Sequence, residues 1–131
     1  MREIVLRRFF EGELSVAELA NDLKGSLVRE TNDVTKHPIE NMDGAFEVLP
    51  SHLIKVCDSV LDGSIAPELL ESIGFCLLAS DAFQWDNGRA DGAVVADVAI
   101  DWSDPTINHP LTLPNVAKWR RKLSGEQVSW Q

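Results

Sequence analysis

The stretch DGAVVADVAIDW, residues 91–102, decides the fold class of this chain. As a strand it would suit its β-branched valines, and Asp97, Ala99 and Asp101 would share one face. As a helix it places Val95, Val98, Ala99 and Trp102 on one side, with Asp97 and Asp101 together on the outward side. The helical reading is preferred for that separation. Asp86-Asn87-Gly88, just ahead, is turn chemistry. Asp91 is then placed to cap a helix starting near Gly92.

Working outward, the rest of the periodicity is also helical. Leu6, Phe9 and Phe10 share a face of a first segment, which Gly12 ends. Ser15-Val16-Ala17-Glu18 matches the S-x-x-E capping pattern. Val16, Leu19, Ala20, Leu23 and Leu27 follow at helical spacing in a segment that fades by Glu30. Residues 31–49 show no regular period and are punctuated by His37-Pro38, Asp43-Gly44 and then Pro50. They read as a long loop pinned by Ile39, Met42 and Phe46. Ser51 is placed to cap a third helix whose inward face carries Leu53, Ile54, Cys57, Val60 and Leu61, with Gly63 as its stop. Pro67 suits the first turn of a fourth helix running to about Phe83. That helix is apolar nearly all round between Ile73 and Ala79, so it is expected at the centre. After Pro105 and Pro110, Thr112 or Leu113 opens a last helix with Pro114 in its first turn. Val116, Trp119 and Leu123 form its inward stripe, Lys118, Arg120, Arg121 and Lys122 crowd its last turns, and Gly125 ends it. The expected fold is an all-α, single-domain bundle of about five to six helices over residues 1–131, with a long loop near 31–50.

Charge is distributed unevenly. The chain of 131 residues has a formal net charge of −9 and is 44% hydrophobic, enough apolar material for a core. Between Val56 and Ala117 there are ten acids (Asp58, Asp62, Glu68, Glu71, Asp81, Asp86, Asp91, Asp97, Asp101, Asp104) and one base, Arg89, so this segment alone carries the −9. The remaining 11 acids and 11 bases cancel. Phosphate repulsion argues against nucleic acid as a partner. A basic protein surface would be steered toward such a chain, although acidity also serves solubility alone.

No apolar run reaches the length of a membrane span. The amino terminus lacks the long apolar region and cleavage site of a signal peptide. Cys57 and Cys76 lie among apolar residues at helical spacing and read as buried free thiols, which fits a reducing cytoplasm.

Known chemistry-bearing motifs are missing. A calcium loop starting at Asp86 would put Gly88, Ala90 and Asp91 at its third, fifth and sixth positions and Asp97 at its twelfth, which leaves too many ligand positions empty. His37, His52 and His109 do not form H-E-x-x-H. No phosphate-cradling glycine loop and no G-x-S-x-G is present. Neither a metal nor a cofactor is therefore expected.

Paired carboxylates remain. Asp97 and Asp101 at i, i+4 repel by about 0.2–0.5 kcal/mol on a helix, and Asp104 extends the row. Three readings stay open: a metal or acid–base site, with His109 brought in by folding; a recognition face for a cationic partner; or a solvated helix face. Trp85 and Trp102 flank the acidic stretch and suit aromatic anchors in an interface, or the capping of bundle ends. Arg89 is expected to tie the loop back to Asp86 or Asp91. The candidate partner-binding set is Trp85, Asp86, Asp91, Asp97, Asp101, Trp102 and Asp104.

The segment LRRFFEGELSVAELANDL, Leu6 to Leu23, resembles the first helical hairpin of the colicin D-type bacterial immunity proteins. In that family a short helix ends at a small-residue turn and is followed by S/T-x-x-E and apolar i, i+4 steps. The resemblance covers about the first 25 to 30 residues. It implies a non-enzymatic protein whose acidic face covers the cationic active site of a nuclease toxin. A third possibility is a structural or regulatory homo-oligomer joined through the apolar faces of the first and last helices.

Overall fold

Residues 90–103 form a helix in the computed structural model, which describes residues 3–30, 44–86 and 88–128. Burial along it falls at Gly92, Val95, Val98, Ala99 and Trp102, positions that share one helical face. That stripe is continuous only with helical periodicity, and packing it outweighs the strand preference of the valines.

Six helices and two strands of two residues each are described: α1 (Glu3–Phe10), α2 (Val16–Glu30), β1 (Phe46–Glu47), α3 (Pro50–Leu61), α4 (Leu70–Ala79), β2 (Phe83–Gln84), α5 (Ala90–Ser103) and α6 (Leu113–Leu123). The predominantly α fold expected from the sequence is borne out. Among the described residues no helix is long and apolar enough to cross a membrane.

Local chemistry sets most boundaries. Gly12, with φ +80°, closes α1 in the left-handed region, where a side chain would be strained. The Ser15 hydroxyl accepts from the Glu18 amide at 3.3 Å and donates to the Glu18 carboxylate at 3.2 Å, holding the start of α2. Thr112 caps α6 by accepting from the Asn115 amide at 3.4 Å. Three starts and one end differ from the sequence reading. Leu49, not Ser51, precedes α3, with Pro50 in its first turn and its own amide satisfied by the His52 ring. The fourth helix is entered through a 3₁₀ turn, Pro67–Leu69, and ends at Ala79, short of Phe83. There Ser80 is extended, and its hydroxyl accepts the Ala82 and Phe83 amides at 3.0 and 3.3 Å. Phe83 is thereby diverted into a parallel pairing with Phe46. At α5 the residue before the helix is Arg89, so Asp91 lies inside the first turn and is not its cap.

One contiguous core gathers side chains from every helix and from both strands. α4 is the centre expected: Leu70, Ile73, Cys76 and Leu77 are buried, and α5 crosses it closely at Gly74. Trp102 and Trp119 meet edge to face at 6.2 Å, both fully buried. At the other end Phe10 contacts Phe46, His52 and Phe83, with ring centroids 5.1–6.1 Å away. Phe46 is thus the pin the sequence suggested, whereas Ile39 and Met42 lie outside the described residues. Leu6, Phe9, Phe10, Val116, Trp119 and Leu123 are all buried, so the apolar stripes of the first and last helices face this chain's own core. A homo-oligomer through those stripes would have to open the fold.

Candidate functional site

The acids of residues 86–104 do not form one face. α5 and α6 run antiparallel, because Asp101 meets Trp119 while Asp97 meets Lys122. Asp101 is half-buried, and its carboxylate accepts from Trp119 Nε1 at 3.0 Å. Asp97 is exposed but stands 3.6 Å from the Lys122 ammonium. The like-charge spacing of Asp97 and Asp101 is therefore answered by two donors on α6, and neither carboxylate is the free outward acid expected from periodicity. Asp104 is at the far end of α5, where it accepts from the Ile107 amide at 3.3 Å. Trp102 is fully buried against Trp119 and does not serve as an exposed anchor. Its large apolar ring is worth more in the core than at the surface. Trp85 is half-buried against the core, and Trp130 lies outside the described residues.

Asp86 and Asp91 are brought together, with Arg89, at the amino-terminal end of α5. They line a cleft of about 220 Å³ with Glu47, Val48, Leu49 and Gly92. A shallower groove of about 390 Å³ adjoins it, sharing Leu49 and Asp91 and adding Pro50, Ser51, Ile54 and residues 123–125. Asp91 lies roughly 20 Å along the helix from Asp104 at the ordinary helical rise.

This corner is built by two close approaches. The parallel pairing of β1 with β2 brings Glu47 and Leu49 next to the turn after β2, through Phe46 N–H donating to Ala82 O at 2.7 Å and Val48 N–H donating to Gln84 O at 2.8 Å. The turn then folds onto α5: Asp86 Oδ1 accepts from the Gly88 amide at 2.9 Å, and the Arg89 amide donates to the Asp86 carbonyl at 3.1 Å. Gly92 sits directly under the Asp86 backbone, where a β-carbon would overlap the Asp86 carbonyl. A glycine is required here by contact, not by φ.

Chemically the cleft is an anionic rim over an apolar floor. Glu47, Asp86 and Asp91 are exposed carboxylates, and among the described residues lining the cleft Arg89 is the one base. Arg89 makes no ion pair with Asp86 or Asp91 among the described residues, contrary to the tie expected; its backbone, not its side chain, closes the turn. Asp91 also complements the positive end of the α5 dipole. Leu49 is 40% exposed at the junction of cleft and groove. Sequence reading missed Glu47 and Leu49, because their place depends on a two-residue pairing across 37 positions of chain, Phe46 with Phe83.

Among the described residues no three His, Cys, Asp or Glu side chains are grouped to hold an ion. Comparison with protein-family models, curated proteins and solved structures finds no match to the chain.

Proposed function

We propose that this chain is a non-enzymatic protein-binding domain that docks a basic protein surface through its acidic segment, with the Glu47–Asp86–Asp91 cleft as the centre of contact. The observation that carries this reading is the placement of charge. The segment from Val56 to Ala117 holds the whole net charge of −9, and α6 answers it at two exposed acids, Arg120 on Asp58 and Lys122 on Asp97. Asp62, Glu68, Asp81, Asp86 and Asp91 stay exposed. A surface of this sign steers a cationic partner and fixes its register more than it adds affinity. Neutralisation of a nuclease toxin, as in the immunity proteins that the first hairpin resembles, is the specific form this reading takes. A toxin's cationic active site is the kind of surface the cleft would cover.

The test is kinetic. A partner captured on the immobilised chain is purified, and its association rate is followed over a tenfold range of salt. Screening should slow association steeply, and Asp86→Asn with Asp91→Asn should slow it by roughly 3- to 10-fold at low salt. The Asp97→Asn chain should associate close to the unaltered rate, because that carboxylate is engaged by Lys122. An association rate indifferent to salt and to Asp86 and Asp91 would remove the proposal.

A further inference from the structure

His52 ties the wall of the acidic cleft to a titratable ring. It is the third residue of α3, and its Nδ1 accepts the Leu49 backbone amide at 2.9 Å. This amide precedes the helix and has no backbone partner within it. The ring packs against Phe10, nearly parallel at 5.1 Å, and Phe46, tilted at 5.1 Å, and those two rings also meet each other at 6.0 Å. Leu49 and the two residues before it, Glu47 and Val48, are themselves cleft wall. The atom that must stay unprotonated to hold Leu49 therefore acts directly on the shape of the cleft.

We propose that His52 is a proton-operated latch on this cleft: the neutral ring fixes Leu49 and the end of β1, and protonation at Nδ1 removes the acceptor and releases them. As regulation of a docking site, the proposal rests on the reading given above; as a property of the fold, it can be measured on the chain alone.

The surroundings set the direction. Burial and the Lys55 ammonium, on the same helix, disfavour the imidazolium, while Glu11 beyond α1 and Glu47 on β1 favour it. Lys55 is fixed in place by donating to the Phe9 carbonyl at 2.6 Å. Glu11 is engaged by Arg7 at 3.3 Å, and the same guanidinium lies 5.5 Å from the centre of the Phe46 ring. The balance lowers the His52 pKa below the ordinary 6.5. A lowered histidine value means that the neutral ring stabilises the fold. The contribution is complete above about 6.5 and is lost as pH falls through the folded-state value.

The experiment is an NMR titration of the full chain from about pH 8 to about pH 5. The His52 ring is expected to titrate below 6.5. The Leu49 amide should shift with the same midpoint and lose hydrogen-exchange protection, while the Val116 amide in α6 stays fixed. In His52→Asn the amide oxygen can take the place of Nδ1 without titrating, so the Leu49 response should vanish. A Leu49 amide that ignores the His52 titration would overturn the latch, as would a His52 ring that titrates at or above the ordinary value or a Leu49 response that survives in His52→Asn. Failure of Asp86 and Asp91 to affect partner association would instead overturn the docking reading and leave the latch intact.

Discussion

At the scale of single residues, two contacts carry more than their size suggests. Trp119 is fully buried, and its indole N–H is satisfied by Asp101, a half-buried carboxylate on the neighbouring helix. Removing the charged acceptor loses a hydrogen bond of about 1.5–3 kcal/mol. Asp101→Ala should lower the unfolding free energy in urea by that amount, whereas Asp101→Asn, which keeps an acceptor oxygen, should lose much less. Equal losses in the two chains would mean that the carboxylate acts through charge and not through Trp119. Gly74 is the other case. A β-carbon there would stand 2.7 Å from the Ser103 amide nitrogen and 2.8 Å from both the Ala99 carbonyl and Trp102 Cβ. Two of these neighbours are backbone and cannot swing away, so Gly74→Ala has to push α5 off α4. Overpacking of this kind costs about 1–3 kcal/mol, more than alanine's better helix propensity returns. A thermal midpoint at or above that of the unaltered chain would contradict the close crossing.

At the scale of elements, legibility followed periodicity. The first helix, the start of α2, the central α4 and the stripe of α6 could be read from spacing alone, because each buries one face against a common core. α5 was ambiguous between helix and strand, and the registration of Val95, Val98, Ala99 and Trp102 with the core resolved it as a helix. What spacing could not give was anything set by a second element. Asp97 and Asp101 read as outward acids because nothing in residues 91–102 reveals that Lys122 and Trp119 lie opposite. Trp102 read as an interface anchor or as a cap of the bundle end, since the same position on a helix faces solvent or a neighbour according to what crosses it. The cleft itself depends on β1 and β2, each two residues long and too short to leave an alternating pattern. Asp86 and Asp91 were legible as members of an acidic turn; their meeting with Glu47 and Leu49 was not.

At the scale of the molecule, the core and the charge pull in opposite directions. Like charge concentrated in one half of the chain favours expansion, and the buried cluster spanning every helix opposes it. The two thiols offer a way to measure that opposition. Cys57 and Cys76 are fully buried, and burial, helped by Asp58 beside Cys57 and by Glu3 near Cys76, raises each pKa from 9.0 to about 12. The folded chain therefore keeps protons that the unfolded chain gives up once pH passes 9.0. By linkage the thiols' stabilising contribution is complete below that value and declines as pH rises toward the folded-state one. The chain contains no tyrosine, so no phenol titrates in the same window. Two outcomes are expected. Near pH 8 a thiol reagent should modify both cysteines only as fast as the chain opens, in proportion to the denaturant present. Between about pH 8.5 and 10, before most lysines titrate, the urea midpoint should fall more steeply for the unaltered chain than for Cys57→Ala with Cys76→Ala. Rapid labelling in the absence of denaturant would place at least one thiol at the surface. Parallel pH slopes for the two chains would show that any alkaline loss of stability comes from amines losing their protons and not from the buried thiols.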